Sequence, residues 1–349
     1  RVLVAHNMVW PSGTVGVGNI AVCTMLLADG TIDTTWGVNG HYLTPYGVTG
    51  IAEVRKLLSD SLGNFYLLGG VNATGPNYVK LDSSGTLVWQ GPSGYGKLTT
   101  FYDAAWANAA QTRIIGVGSV SQVRDTGPPD SGYLSADIMA IDPATGALDA
   151  TWTLANVWPG WALCSSTFLY HINVLSDGGF VVMKNEAATL SKMLADGSAK
   201  DAAWGTAGDL SIGSITWNPQ VLRIAQDGDV LYTWTANAGP VDTLSKIAAD
   251  GSVIDHVDLA VPSAGSYNTV QVFNSELLVG TVGSPNATHD VEHWTQALAY
   301  VRGFDIATSS YIFYVAAEAA GGPRQLIIGK RKTSHPMFAK HTACRNVYG

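Results

Sequence analysis

An apolar strand followed by a glycine-containing turn recurs along this chain of 349 residues, and no other feature restricts its fold as strongly. The turn glycines lie 51 to 61 residues apart. The copies are Met25–Gly30, Val79–Gly85, Met139–Gly146, Lys192–Gly197, Lys246–Gly251 and, most weakly, Tyr300–Gly303. A unit this short cannot bury its own apolar face, so the pattern predicts an array in which neighbouring units pack together.

A second hairpin alternates with the first. Its clearest copies place a glycine turn between two apolar runs, and Asp-Gly in such a place is a strong hairpin signal. They are Val54–Gly70, Ile172–Met183 and Val221–Tyr232, with weaker copies at Ala104–Gly118, Thr269–Gly280 and Tyr311–Gly329. Two hairpins make four strands, which is one blade of a β-propeller. We therefore predict an all-β fold, a β-propeller of about seven four-stranded blades.

The repeats divide one predicted domain, residues 1–349, into seven segments. Their approximate bounds are 1–47, 48–101, 102–160, 161–212, 213–263, 264–308 and 309–349. The first segment begins at its second strand, and the seventh ends after its third, so the propeller is incomplete at both termini in this register. An open sheet edge can pair with another chain. Three alternatives follow: the blade boundaries differ from this register, the chain is trimmed, or a partner supplies a strand through oligomerisation or strand exchange at the termini.

A short tail follows the turn in three repeats. It reads Asp33-Thr-Thr-Trp36-Gly, Asp149-Ala-Thr-Trp152 and Asp201-Ala-Ala-Trp204-Gly. Residues 28–40 resemble the delta-60 repeat family, whose signature is Asp-Gly-Ser-Leu-Asp-Thr-Thr-Phe-Gly; tryptophan replaces phenylalanine here, and the fifth and sixth repeats lack the tail. The resemblance implies a propeller in a protein that is extracellular or surface-associated, and it implies no activity.

Charge and cysteine content exclude several classes of protein. The chain has 27 acidic and 19 basic residues, a formal net charge of −8, which disfavours non-specific nucleic-acid binding. No apolar run is long enough for a membrane-spanning helix. Three scattered cysteines provide neither a disulfide framework nor a zinc site. From Pro323 onward the chain is basic without any acid, and Lys330, Arg331 and Lys332 are candidate contacts for an acidic partner, or a solvated patch.

One segment has the spacing of a zinc-peptidase motif. His289-Asp-Val-Glu292-His293 fits the H-x-x-E-H pattern, in which two histidines one helical turn apart hold the metal. The sequence predicts a loop followed by a strand here, so we interpret the motif as a polar loop tip. No metal site is predicted.

Aspartates recur at one site in each of five repeats. A ring of carboxylates could bind cations, but each lies where aspartate accepts hydrogen bonds from its own turn. We predict this turn role for Asp29, Asp82, Asp142, Asp196 and Asp250. The chain also lacks a G-x-S-x-G elbow and a glycine-rich phosphate loop. We therefore predict no catalytic residue and no cofactor.

Aromatic side chains cluster in the segments between repeats. Trp158, Trp161 and Trp217 are the candidate partner or ligand contacts, because tryptophan anchors many interfaces and sugar-binding platforms. The alternative is that they pack between blades.

These observations predict a non-enzymatic structural or recognition propeller on an extracellular surface or in a virion, such as a phage tail or adsorption apparatus. Its partners would be other structural proteins or a cell-surface glycan or protein. The first alternative is a lectin-like propeller that binds a sugar or small ligand. The second is a glycan-active enzyme with a site at the central channel, for which titratable groups clustered at one face would argue.

Overall fold

The computed structural model describes residues 1–9, 19–43, 53–70, 78–91, 100–122, 133–149, 169–184, 189–212, 223–235, 241–260, 266–273, 276–282, 291–304, 311–317 and 326–331. All regular structure in these residues is β-strand, 25 strands in total. Within them, no helix is long and apolar enough to cross a membrane. The alanine-rich Ala104–Ala110 continues a strand and enters a turn, as predicted, because tertiary packing overrides helix propensity.

The strands follow the chain in groups. The first group is β1 (Val2–Val9), β2 (Asn19–Leu26) and β3 (His41–Leu43). The second and third are β4 (Glu53–Ser59), β5 (Phe65–Gly70), β6 (Tyr78–Leu81), β7 (Leu87–Gln90), and β8 (Thr100–Trp106), β9 (Ile114–Gln122), β10 (Tyr133–Ile141), β11 (Leu148–Asp149). The fourth and fifth are β12 (Leu169–Val174), β13 (Phe180–Lys184), β14 (Thr189–Met193), β15 (Asp209–Ser211), and β16 (Arg223–Asp227), β17 (Val230–Thr235), β18 (Val241–Ile247), β19 (Val253–Ala260). The last are β20 (Ser266–Phe273), β21 (Glu276–Val282), β22 (Val291–Thr295), β23 (Tyr300–Phe304), and β24 (Tyr311–Ala317), β25 (Leu326–Arg331).

Each group is an antiparallel sheet with its strands in chain order. The first group has three strands, the next five groups have four, and two are described in the last. The second and third groups are joined by a single pairing, Gly70 with Thr100. Within the described residues, the first sheet consists of β1, β2 and β3.

Two compact units divide the chain, and the boundary runs through β14. One unit is Arg1–Lys184 with Lys192–Lys200, and the other is Asn185–Ser191 with Asp201–Gly349. Apolar residues from the middle strands of consecutive blades form the cores of each unit. Cys23 belongs to one core, where burial raises the pKa of its thiol to about 12, so it acts as a small apolar residue. Cys164 and Cys344 lie outside the described residues.

The tail of one repeat packs under the turn of the next, a contact that we call the Trp–Gly latch. Trp36 is 1% exposed and lies flat beneath Gly85, where an added Cβ would come within 2.7 Å of its ring. The amide of Gly37 donates to the Ser84 carbonyl at 2.7 Å. Glycine is required at position 85, since its φ is +87° and no side chain fits above the indole.

The second unit contains the same latch. Trp204 lies under Gly251, and the amide of Gly205 donates to the Asp250 carbonyl at 3.0 Å. A partial version joins the second and third blades, where the Trp89 ring lies under Gly146 without a following tail. The tails at Trp36 and Trp204 therefore have a structural role, because each connects two consecutive blades.

The turn of the sixth repeat lies elsewhere than predicted. Gly303 is inside β23, and the turn precedes that strand. Leu298 occupies the glycine position with φ of +56°, and its amide donates to the Thr295 carbonyl. The prediction placed the turn at Gly303 because it relied on a glycine, and it was wrong. Leu298 is only 6% exposed and packs in the core, which offsets its unfavourable backbone conformation.

Candidate functional site

In the second to seventh blades, one position of the first strand has a polar residue. The first hairpins can be aligned on the pair Ser59–Phe65 and its counterparts Trp106–Ile114, Val174–Phe180, Gln226–Leu231, Val272–Leu277 and Ala317–Leu326. Three residues before the first member of each pair stand Lys56, Asp103, His171, Arg223, Thr269 and Tyr314. We call these six positions the first-strand layer.

Three of these side chains meet in the first unit. The Lys56 ammonium lies 2.7 Å from Oδ1 of Asp103, and Nδ1 of His171 lies 3.3 Å from Oδ2. The strands that carry them, β4, β8 and β12, are in contact in that order. Consecutive blades are therefore connected by polar contacts at their first strands as well as by apolar cores.

Asp103 is the centre of this cluster. Two backbone amides also donate to its carboxylate, Ala104 at 2.9 Å and Ile172 at 3.2 Å. Burial by itself would raise the pKa of the Asp103 carboxyl, but the Lys56 ammonium and the His171 ring beside it hold that pKa well below its usual range. The carboxylate stays ionised, and the side chains of Lys56 and His171 remain 34% and 18% exposed around it.

A β-bulge precedes the layer in β4 and in β8. The extra residues are Arg55 and Tyr102, and the Arg55 guanidinium lies over the Tyr102 ring, 4.6 Å from its centroid. Arg55 is exposed, whereas Tyr102 is partly buried. Bulges commonly re-aim side chains next to binding sites, and stacking on an aromatic ring holds a guanidinium in one orientation.

The second unit has the same strand positions with different residues. The backbones place Arg223 opposite Trp234, Thr269 opposite Gly280 and Tyr314 opposite Gly329. β16 contacts β20, and β20 contacts β24. No acidic residue stands at these three positions, in contrast to Asp103 in the first unit.

The cluster of the first unit can bind an anionic group. The Lys56 ammonium lies on one side of the Asp103 carboxylate and the His171 ring on the other, and Arg55, the residue before Lys56, adds a second basic side chain in the same strand. Arginine presents a planar fork of donors that suits carboxylate, sulfate and phosphate oxygens. The Asp103–His171 contact also orients the imidazole, as a carboxylate does in general-base dyads.

The contacts predicted from sequence mostly fall outside the described residues. Trp158, Trp161, Trp217 and Lys332 all do. Lys330 and Arg331 lie in β25, opposite Ile312 and Tyr311, but only their backbones are described. These predictions therefore stay predictions. The first-strand layer was missed because its six residues share no type.

The segment with zinc-peptidase spacing is not helical where it is described. Glu292 and His293 lie in β22, paired with Gly303 and Arg302, while His289 is outside the described residues. The interpretation as a loop tip is thus wrong for Glu292 and His293, which pair in a sheet. Groups of three or more metal-ligating side chains do not occur in the described part of the chain.

The recurring aspartates have the predicted turn role. Each one accepts a hydrogen bond from a backbone amide two residues later, and a Ser or Thr hydroxyl of the same turn also donates to it. This holds for Asp29, Asp82, Asp142, Asp196 and Asp250. These bonds lower the pKa of all five carboxyls.

No protein-family model matches the chain, and no curated protein matches it. Solved structures do resemble it. A catalytically inactive variant of virginiamycin B lyase from Staphylococcus aureus, with quinupristin, superposes with a TM-score of 0.55 at 10% identity, over 94% of this chain and 96% of that one. A streptogramin B lyase superposes with a TM-score of 0.52 at 12% identity, over 88% of this chain and 90% of that one. BBS1N in complex with ARL6DN superposes with a TM-score of 0.50 at 11% identity, over 81% of this chain and 77% of that one. Likeness at this level of identity concerns architecture alone: the chain has the β-propeller fold.

Proposed function

We propose that this chain is a recognition β-propeller that binds an anionic partner at the first-strand layer of its second to fourth blades. The observation that carries the proposal is the cluster around Asp103. One register position keeps polar side chains in successive blades while their chemistry changes, and the bulge in front of it presents Arg55 on Tyr102. A layer needed only for packing would use apolar residues, since buried ion pairs add little net stability.

The wider setting rests on the sequence. The resemblance of the tails to delta-60 repeats and the low content of charged residues, 13%, support an extracellular or virion surface as the location. Two sources of anionic groups fit such a location, the acidic side chains of a partner protein and the uronic acids of a glycan. A glycan ligand would make the protein lectin-like.

The test is titration calorimetry with two probes, a short oligogalacturonate and a short polyglutamate peptide, each beside a neutral counterpart. We expect at least one acidic probe to bind and its neutral counterpart to fail. Arg55→Ala should weaken that binding about tenfold, which is the loss of one charge-assisted contact of about 1.4 kcal/mol. Arg113→Ala is the matched control, because the Arg113 side chain is 40% exposed and pairs with Asp149, and neither residue belongs to the layer. Equal binding by Arg55→Ala and the unmodified chain would overturn the proposal.

A second candidate function is catalysis at the same place. It is favoured by one contact, the Nδ1 atom of His171 on the buried carboxylate of Asp103, which leaves the opposite ring nitrogen in a fixed direction. The glycan-active enzyme considered from sequence would use this imidazole as a base. Mass spectrometry of oligogalacturonate after incubation tests it: cleavage that is lost in His171→Ala supports an enzyme, and an unchanged saccharide argues against one.

A further inference from the structure

The turn that follows β2 in the first blade has the same backbone as the turns that lie over a tryptophan in the latches. The amide of Gly30 donates to the Leu27 carbonyl at 2.9 Å, as Gly85 donates to Asp82 at 3.0 Å. The φ angles of the two glycines are +83° and +87°. Asp29 accepts hydrogen bonds from the amide and hydroxyl of Thr31, as Asp250 does from Ser252 in the turn at Gly251.

The space below this turn is open. An added Cβ at Gly30 would have no atom within 4 Å, whereas at Gly85 and Gly251 the same point lies 2.7 to 2.8 Å from an indole ring. Gly30 is exposed, and the other two glycines are buried. Next to the opening, Leu27 is 38% exposed, although it is a large apolar residue.

This turn also has a backbone carbonyl at the position that accepts a hydrogen bond in the latches. In the two occupied latches, the carbonyl of the residue before the glycine accepts a hydrogen bond from the amide of the incoming Trp–Gly tail. The corresponding group in the first blade is the Asp29 carbonyl, and none of the described residues donates to it from a tail. The first blade thus has the two groups that a latch needs on the acceptor side, a turn glycine with open space below it and a backbone carbonyl.

From these three observations we infer that the Gly30 turn is a docking site for a Trp–Gly tail on a second polypeptide. The occupied latches define what fits. The ring must lie flat on the glycine, and the following residue must be glycine, because a Cβ at Gly37 would come within 2.4 Å of the His41 carbonyl oxygen. The site therefore selects Asp-x-x-Trp-Gly segments, such as those of another protein with the same type of repeat.

A second copy of this chain is a poorer occupant. Its tails at Trp36 and Trp204 are already buried in latches of their own, 1% and 2% exposed, and would have to leave them. This docking site is separate from the anion site of the first-strand layer and does not depend on it.

The probe is a fluorescein-labelled peptide with the sequence of residues 31–41, Thr-Ile-Asp-Thr-Thr-Trp-Gly-Val-Asn-Gly-His. Fluorescence anisotropy should show saturable binding to the full chain. The same peptide with Trp36→Ala should bind at least tenfold more weakly. A chain with Gly30→Ala should also bind at least tenfold more weakly, because its methyl group fills the place of the indole.

Gly30→Ala must be shown to stay folded, by circular dichroism and melting temperature, since its φ is unfavourable for alanine. Leu27→Ser is the second variant, because it keeps the glycine but removes the apolar edge, and it should weaken binding several-fold. Arg55→Ala should bind the peptide as the unmodified chain does, which separates this result from failure of the anion site.

Equal anisotropy with the tryptophan and alanine peptides would overturn the inference. So would a folded Gly30→Ala chain that binds normally. Light scattering identifies the other occupant: a dimer that becomes a monomer in Gly30→Ala would mean that a second copy fills the site, and the assignment to a different polypeptide would then be wrong.

Discussion

The Trp–Gly latch and the first-strand layer both connect neighbouring blades, but they repeat in different ways. The latch repeats its residues: Trp36 under Gly85 and Trp204 under Gly251 have the same ring placement and the same backbone hydrogen bond. The layer repeats only its position, which is lysine, aspartate, histidine, arginine, threonine and tyrosine in turn. The residues that the repeats keep are those that connect the blades in the fold. The residues that vary belong to the position where we propose binding.

The largest effect should come from the centre of the layer. Asp103→Asn leaves the Lys56 ammonium beside a neutral amide and weakens the contact with His171. Breaking a buried ion pair costs 3 to 5 kcal/mol, and we expect about 3, because Lys56 is 34% exposed and can turn toward water. Urea denaturation measures the loss in the free energy of unfolding. Asp255→Asn, at an exposed site, is the control and should change it by less than about 0.5 kcal/mol. Equal effects would mean that the layer contributes nothing to the fold.

The latch should respond to a single methyl group. Gly85→Ala adds a Cβ within 2.7 Å of Trp36, whereas Gly30→Ala adds one to open space at nearly the same φ. Both variants suffer the backbone penalty of roughly 1 kcal/mol. Only Gly85→Ala also strains the packing, so we expect it to lose about 2 kcal/mol more than Gly30→Ala. If thermal denaturation gives the same loss for both, the indole does not restrict the turn.

Acid should weaken the layer and leave the packing of indole on glycine in the latch unchanged. The pKa of Asp103 is lower in the folded chain than in the unfolded chain, where it is about 3.9. Its stabilising contribution is therefore fully present above about pH 4 and is lost as the pH falls through the lower, folded value. At neutral pH the free energy of unfolding of the unmodified chain should exceed that of Asp103→Asn. This difference should shrink by about 1 to 2 kcal/mol as the pH falls below 4.

Urea titrations test this pH dependence. Both chains carry His171→Gln, because this substitution removes the imidazole from the comparison. The latch serves as the internal reference: hydrogen bonds within the turn lower the pKa of Asp82 beside Gly85 and of Asp29 beside Gly30 alike, so the difference between Gly85→Ala and Gly30→Ala should change little with pH. A margin for Asp103 that stays constant down to pH 3 would contradict the assignment of the charge pair.

The sequence predicts the latch region well, because its parts are local. Asp-Gly turns, the apolar strands and the tails follow from turn chemistry and spacing, and the fold class follows from their period. Leu298 shows the limit. A leucine with positive φ has no local signal, because buried packing in the second unit overrides its backbone preference.

The layer could be predicted only in part. Aligning the hairpins at Val54, Ile172 and Val221 brings Lys56, His171 and Arg223 near one register, but the β-bulges that adjust the register have no signature in the sequence. Asp103 is harder still, since it lies in an alanine-rich strand, and its partners come from other blades, 47 and 68 residues away. Contacts between repeats depend on packing that no single repeat encodes.

The smallest effect sharpens the comparison within the latch itself. The two loops that follow the tryptophans have the same backbone, with φ of +54° at Asn39 in one and at Ala207 in the other. Asparagine tolerates this conformation better than alanine, whose Cβ crowds the following carbonyl. Ala207→Asn should therefore stabilise the chain by up to about 1 kcal/mol, and Asn39→Ala should destabilise it by a similar amount. A higher urea midpoint for Ala207→Asn and a lower one for Asn39→Ala would mean that the shared backbone conformation decides which residue fits in both loops. Shifts of the same sign would mean that their surroundings, and not the shared backbone, decide which residue fits.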